Sequence, residues 1–553
     1  MERHGLPPLP EGAPRDFLRR LMHDFRSQRD FVAPWNRRLK YPINKNPLHA
    51  WVEDQAIDLE YHVRHAALPW PGGERELGEL VGRLQSTPID LARPPWECTI
   101  IEGLDGDRFA LFIKMHHSLI DGVSGMKLLQ RAMSADPGKS LALPPFWASD
   151  SDAKPERKTK HGPPATMANV FAAAIEGLSM QAKSLPRLAS AFGQIIRRIG
   201  DPREGLAVPF DAPQSVLNGR VREKRRFATQ QFSMARLRAV AEAADCTLND
   251  VVLALCGGAL RRFLQGRDAL PDKPLTAGIP VSVRPKDDEG TGNAITFIVA
   301  TLGTDIEDAG ARLRAISASV RHAKAHVQSL PRAAMLQYTM LLMAPTIVTL
   351  LTGMGGRTRP MFNITISNVP GPDKPLFFRG AELVSIFPVS IVTHGQALNI
   401  TCESYAGMMN FGFTGCHSSL PSLQKLAVHA AEALGELEAS FLPAPAPAPV
   451  RRRAVASPDA AAAKADVRDM HTPDAICREE TLEDVPRDGV IGRAIFRHDD
   501  AAVDEVAVDV GAAEFLADDA ALLGLGNGHH ANLTASCISL TTKGVDVRLL
   551  DVP

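Results

Sequence analysis

RFALFIKMHHSLIDG occupies residues 108–122. Its apolar opening, Arg108 to Met115, predicts a β-strand that ends at a pair of histidines. Residues Glu97–Glu102 predict a partner strand, and Gly103-Leu104-Asp105-Gly106-Asp107 joins the two. An Asp-Gly pair between apolar runs is a strong hairpin signal. After the strand, His116 and His117 stand side by side, Asp121 follows, and Gly122 permits a turn before a helix predicted near Val123. An imidazole takes up and returns a proton near neutral pH, so such a turn suits general acid–base chemistry. Two loop histidines that merely cap the next helix would fit the same spacing. The residues alone leave both readings open.

The flanking sequence alternates helices and strands. Phe17, Leu18, Leu21, Met22 and Phe25 fall on one face of a helix over 15–28, and a second helix is expected at Glu74–Gln85. Ser149–Pro164 is polar and reads as an exposed linker, followed by an Ala-rich helical stretch over about 166–198. From Arg226 a second mixed unit begins. Its expected helices are Ala235–Ala243, Leu248–Gln265, Asp305–Val327, Ala333–Thr352 and Ser418–Ser440. Its expected strands are Leu275–Val283, Ala294–Leu302, Phe362–Val369, Glu382–Val389, Ala397–Glu403 and Met409–Thr414. Two α/β units joined by a crossover are the simplest architecture for this pattern. Pro443-Ala444-Pro445-Ala446-Pro447-Ala448-Pro449 is an extended spacer that marks a boundary.

Across 553 residues, 45% are apolar and 23% charged, which is ordinary for a globular protein. The net charge of −1 argues against a dedicated nucleic-acid binder. It hides an asymmetry: residues 451–553 hold 11 Lys+Arg against 19 Asp+Glu, net −8, which leaves +7 for residues 1–450. That tail has two phenylalanines and no Trp or Tyr, a composition expected to stay largely unstructured, with some weak strands. Seven scattered cysteines without a C-x-x-C pair fit a reducing compartment and neither a disulfide framework nor a zinc site. Ala333–Gly356 carries no charge, but Gln337, Pro345 and four threonines favour a buried or membrane-facing helix over a lipid-spanning one. Arg220–Arg226 carries net +4 and suits phosphate groups, an anionic lipid surface or plain solvent.

His116-His117-Ser118-Leu119-Ile120-Asp121-Gly122 resembles the HHxxxDG signature of the condensation-domain and chloramphenicol-acetyltransferase-like superfamily. Pro94-Pro95-Trp96-Glu97 looks like the Pro-Leu-Trp-Glu block of the bacterial wax ester synthase/diacylglycerol acyltransferase family. Asn249-Asp250 is similar to that family's Asn-Asp motif. Pro280-Val281-Ser282-Val283-Arg284 with Gly292-Asn293, and Ser367-Asn368-Val369-Pro370-Gly371-Pro372, match further blocks in order. The resemblance covers roughly residues 10–442. It implies an α/β (α+β) fold of two chloramphenicol-acetyltransferase-like subdomains, with mixed sheets flanked by helices. On this reading 1–148 is the N-terminal subdomain, 149–215 a linker and crossover helix, and 216–442 the C-terminal subdomain. Residues 443–553 are then a linker and acidic tail without a family counterpart. Two departures stand out: position 95 is Pro where Leu is usual, and chains of the family usually begin with a further helix and strand.

The resemblance also implies an activity: transfer of a fatty acyl group from acyl-CoA to a long-chain alcohol or to diacylglycerol. His117 would be the general base, His116 its supporting neighbour and Asp121 a scaffold, with Arg284 as its candidate ion-pair partner and Gly122 in the turn. Asn249 and Asp250 would cap a helix, and Asn368 and Pro370 would shape a loop. A thioester is already activated, so no Ser or Cys nucleophile, metal or bound cofactor is expected, with acyl-CoA as co-substrate. The implied location is cytoplasmic, peripheral to the inner face of the plasma membrane or to lipid inclusions. Two other readings remain: a condensation-type domain using carrier-bound acyl groups, and an inactive lipid-associated protein.

Overall fold

The computed structural model describes residues 16–40, 51–148 apart from 107, 117, 118, 120 and 121, 212–282, 295–329, 355–443 and 533–541. These residues belong to one compact unit of the chain; a second, Pro445–Leu523, lies outside them, as do the expected linker 149–164 and the expected helices 166–198 and Ala333–Thr352. In chain order the first elements are α1 (Phe17–Ser27), β1 (Arg37–Leu39), β2 (Trp51–Glu53), α2 (Leu59–His62), β3 (Val63–Ala67), α3 (Glu74–Ser86), β4 (Trp96–Leu104), β5 (Arg108–His116), α4 (Gly122–Gln130) and α5 (Pro137–Leu141). Then come β6 (Arg225–Ser233), α6 (Met234–Ala243), α7 (Leu248–Gln265), β7 (Thr276–Ser282), β8 (Ile295–Thr301) and α8 (Ala309–Gln328). The last are β9 (Ile364–Val369), β10 (Phe377–Phe378), β11 (Ala381–Val389), β12 (Leu398–Tyr405), β13 (Met408–Cys416), α9 (Gln424–Phe441) and β14 (Leu533–Thr541).

The expected hairpin forms. β4 and β5 run antiparallel with Trp96 opposite Met115 and Ile100 opposite Leu111, and the turn uses Gly103 and Gly106 at φ of 81° and 65°. Both strands are buried along nearly their whole length, which is why they read as continuous apolar runs rather than as alternation. α1 buries Leu21, Met22 and Phe25, the face its periodicity marks.

Two six-stranded mixed sheets organise the chain, in the orders β10-β11-β14-β5-β4-β3 and β6-β13-β12-β9-β7-β8. The first draws strands from both halves of the sequence. β10 and β11 come from the second half of the sequence yet lie in the sheet that carries His116. β14 comes from the tail, where some strands were expected in an otherwise unstructured segment, and sits inside that same sheet. Hydropathy could not foresee either placement, because pairing across hundreds of residues leaves no local periodicity.

The second sheet is backed by α7, buried from Val251 to Leu260, together with α8 and α9. Around the first sheet Phe25, Trp35, Trp96, Phe146, Trp147 and Phe378 form an aromatic core. A third cluster is shared by both sheets: Leu77 and Val81 of α3, Ile101 and Phe112 of β4 and β5, Phe227 of β6, and Phe387 and Val389 of β11. Polar contacts follow the same seam, with the Arg225 N–H donating to Ser86 Oγ at 2.8 Å and Thr229 Oγ1 to Glu74 Oε2 at 2.9 Å.

Where the two sheets meet, Gly412 of β13 faces Pro388 of β11; a Cβ at 412 would overlap the Pro388 carbonyl oxygen. Backbone rather than a flexible side chain stands in the way, so the sheets would have to separate. Gly412→Ala is expected to destabilise the protein by about 1–3 kcal/mol, the range for overpacking a filled interior, read as a lowered urea midpoint. A distant substitution of the same kind, Gly435→Ala, where an added Cβ meets nothing within 4 Å, should leave the midpoint in place or raise it.

Candidate active site

His116 is the last residue of β5 and is half-buried. Its N–H donates to the Pro95 carbonyl at 2.9 Å, and its own carbonyl accepts from Leu119 N–H at 2.9 Å. The strand is therefore tied down at its final residue and turns at once. α4 starts at Gly122 and buries Met126 and Leu129 in the aromatic core, which anchors the far side of the turn. His117, Ser118, Ile120 and Asp121 lie outside the described residues, as does Arg284.

The Pro94-Pro95-Trp96-Glu97 block lies directly across the ladder from the end of β5. Trp96 is fully buried; its indole N–H donates to the Trp35 carbonyl at 2.8 Å, and its ring stacks on Trp147 and on His62. His62 Nδ1 lies 2.7 Å from the Trp96 carbonyl. A carbonyl only accepts, so Nδ1 carries the proton, and burial pushes the His62 pKa down to about 4, keeping the ring neutral. Buried Glu97 accepts from Tyr61 Oη and from Arg64 Nη2, each at 3.2 Å. Lys114 stands opposite Glu97 in the ladder. Its buried ammonium donates to the carbonyls of Leu84, at 2.9 Å, and Thr87. Burial pushes its pKa down to about 8 against the pull of Glu97. Sequence reasoning found the motif but missed Tyr61, His62, Arg64 and Lys114. A lysine inside an otherwise apolar strand was the available signal.

The remaining blocks sit on elements of the second sheet. Thr247 caps α7, donating its own N–H to Asp250 Oδ2 at 3.0 Å while Thr247 Oγ1 accepts from Asp250 N–H at 3.3 Å. This is a capping box. Ser317 Oγ of α8 adds a 3.2 Å bond to the same carboxylate. Asn249 stands beside it, its side-chain nitrogen buried. An open cleft of about 480 Å³ lies at this helix start, lined by Asp245, Cys246, Thr247, Asp250, Ser317 and Arg321 among others. Asn368 is half-buried on β9, opposite Cys402 of β12, and Pro370 is exposed. The basic run is partly engaged in the fold: Arg225 donates to the carbonyls of Arg222 and Glu223, and Arg226 Nη2 lies 3.1 Å from His417 Nε2.

Gly371 presses against β12. Its N–H donates to Ser404 Oγ at 3.0 Å, and a Cβ there would overlap the Ser404 carbonyl oxygen and lie 3.1 Å from Glu403 Oε1. Glu403 is 2% exposed, and burial pushes its pKa up to about 8. Sequence reasoning passed over this buried acid, although an acidic residue in an apolar strand was again the signal. Cys98 and Cys256 are buried and pushed up to about 12, so neither thiol supplies a thiolate near neutrality. Among the described residues no group of His, Cys, Asp and Glu could hold a metal ion.

The family model of the wax ester synthase/diacylglycerol acyltransferase catalytic domain matches residues 6–252, and that of the WS/DGAT C-terminal domain matches residues 291–438. The chain belongs to this family, and it is an O-acyltransferase. It is 43% identical to a Mycobacterium tuberculosis protein that bears the name of a diacylglycerol O-acyltransferase, over 78% of this chain and 91% of the relative. An O-acyltransferase of Acinetobacter baylyi is 38% identical, over 77% of this chain and 89% of its own. The solved wax ester synthase/diacylglycerol acyltransferase of Marinobacter aquaeolei superposes with a TM-score of 0.61 at 37% identity, over 78% of this chain and 92% of that one. The two structures share their fold over that length.

Glu403 yields a pH test. In the folded chain its carboxyl holds a proton up to about pH 8, while unfolded it releases that proton near 4.5. Stability contributed by this group therefore falls as pH rises from about 4.5 to 8, by at most about 1.4 kcal/mol per pH unit. Glu403→Gln, which mimics the protonated form, should match the parent Tm at pH 5 and exceed it at pH 8. Parallel Tm curves for the two proteins across that window would show that Glu403 is ionised in the folded state.

Proposed function

We propose that this chain transfers a fatty acyl group from acyl-CoA to the hydroxyl of a long-chain alcohol or of diacylglycerol, giving a wax ester or a triacylglycerol, with His117 as general base. The observation that carries this reading is the HHSLIDG run set at the exit of a strand whose last residue, His116, is fixed by Pro95. The names borne by the relatives from Mycobacterium, Acinetobacter and Marinobacter support the choice of acceptors.

The chemistry needs little more than a base and alignment. Free alkoxide is inaccessible near neutral pH, so the alcohol must lose its proton as its oxygen bonds to the thioester carbon. His117 takes that proton, the C–S bond of the tetrahedral intermediate breaks, and the departing CoA sulfur receives the proton from His117. Such a base accelerates the step by roughly 10²–10⁴-fold. Asp121 and Arg284 are assigned to holding the turn, and His116 to supporting its neighbour. Long-chain alcohols and diacylglycerol reside in a lipid phase, so the enzyme is proposed to work from the cytoplasm at the membrane surface or at lipid inclusions.

Radiolabelled palmitoyl-CoA with hexadecanol or dioleoylglycerol tests the reading directly. The parent chain should yield labelled wax ester, triacylglycerol or both. His117→Ala should lower product by about 10²–10⁴-fold while keeping its circular dichroism spectrum. Near-parental turnover by that variant would remove His117 from the base role, and no product from the parent with either acceptor would remove the substrate assignment.

A further inference from the structure

We propose that residues 533–541 are a strand donated by the C-terminal tail to a slot between β5 and β11, and that acyl transfer depends on this slot being filled. β14 is an interior strand. It runs antiparallel to β5 from Leu533 opposite His116 to Thr541 opposite Arg108. On its other side it runs antiparallel to β11, from Ala535 opposite Val389 to Thr541 opposite Glu382, with one irregularity between Leu383 and Ser385.

Both neighbours need a partner there. β5 is buried on its two faces, with Leu111 and Ile113 in the aromatic core and Ala110 and Phe112 in the cluster shared by the sheets. β11 buries Leu383, Ile386, Phe387 and Val389. Backbone N–H and C=O groups in such surroundings must be paired, because water is not available to them. Adjacent strands lie about 4.8 Å apart, so β5 and β11, separated by one strand, are roughly 10 Å apart and cannot bond to each other. The slot is one strand wide.

The donor suits the slot. Residues 520–542 contain no Asp, Glu, Lys or Arg, although the tail as a whole has 30 such residues. Charge is what an interior ladder position tolerates least. The segment LTASCISLT also lacks Gly and Pro, which weaken or exclude an interior strand. It reaches the slot across residues 444–532. The entropy of closing so long a loop rises only with the logarithm of its length, so the distance in sequence is no barrier to insertion by the same chain.

The register gives the insertion its functional weight. Leu533 is paired with His116, the last strand residue before His117. The donated strand therefore supports β5 up to the point where the histidine turn begins, on the edge opposite Pro95. This half of the proposal rests on the acyltransferase reading above; the insertion itself does not.

Hydrogen exchange with mass spectrometry on the full chain separates the two halves. Amides of 533–541 should exchange at least 100-fold more slowly than an unstructured chain. Ile538→Pro, which removes one ladder bond, should free both 533–541 and β5 and lower palmitoyl transfer by 10-fold or more, while Ile538→Val keeps protection. A synthetic peptide of residues 531–543 added to the Ile538→Pro protein should restore β5 protection and turnover. Unprotected exchange of 533–541 in the parent chain would overturn the insertion, whether or not the chain is active. Parental turnover by Ile538→Pro would overturn the dependence. Protection confined to a dimer and lost on dilution would overturn insertion within one chain.

Discussion

β5 is paired along both edges up to its last residue, the one that precedes His117, the proposed general base. On one edge the ladder with β4 runs to Trp96 opposite Met115, and the Pro95 carbonyl then takes the His116 N–H. On the other, β14 reaches Leu533 opposite His116. A strand frayed at this end would let the imidazole wander, and misplacement by about 1 Å can cost 10²-fold in rate. Pro at position 95 is compatible with this duty. Only its carbonyl is used, and Pro is tolerated where a strand is about to begin. The sequence departure from Leu therefore leaves the supporting bond intact.

The same constraint explains why the lobes cannot be treated as separable. β11 belongs by sequence to the second half and by pairing to the first sheet, and its Phe387 and Val389 pack with Phe227 of the second sheet. Gly412 lets β13 approach the Pro388 backbone. Packing at the seam thus meets β5 directly through Ala110 and Phe112 and β14 through its neighbour β11.

Local chemistry was legible in the sequence where it depends on neighbours a few residues away. The β4–β5 hairpin followed from two apolar runs and an Asp-Gly turn, and α7 was read with both its ends, Leu248 and Gln265, as an apolar helix opened by Asn249-Asp250. The HHSLIDG run marked the candidate site through its resemblance to the HHxxxDG signature, since its spacing alone left two readings open. What stayed hidden was non-local. Nothing in Phe377–Val389 says which sheet it joins, and nothing in Leu533–Thr541 says that it is covered on both edges. Lys114 and Glu403 were overlooked for the opposite reason: apolar strands absorb a lone ionisable residue without losing their strand character, so periodicity does not reveal what partner that residue meets.

The thiols bear on whether acyl transfer passes through an enzyme-bound intermediate. A cysteine route needs a thiolate that substrate can reach. Burial holds Cys98 and Cys256 at about 12 and Cys246 at about 11, and it raises Cys402 well above the ordinary thiol value, with Cys256 adding to the effect. Cys416 differs: burial pushes it up, but backbone N–H donors at Arg222, Ser419 and Ser418 bring it below the ordinary thiol value. That residue is 0% exposed and packs with Val221, Val392 and Ala397, so no thioester reaches its sulfur. Cys98, Cys256, Cys402 and Cys416 are thus all buried, and half-buried Cys246 is a poor nucleophile. Acyl-CoA already carries a good leaving group, and moving the acyl chain from one sulfur to another would gain nothing in activation. A single displacement assisted by an imidazole asks less of this fold than two displacements through a buried thiol.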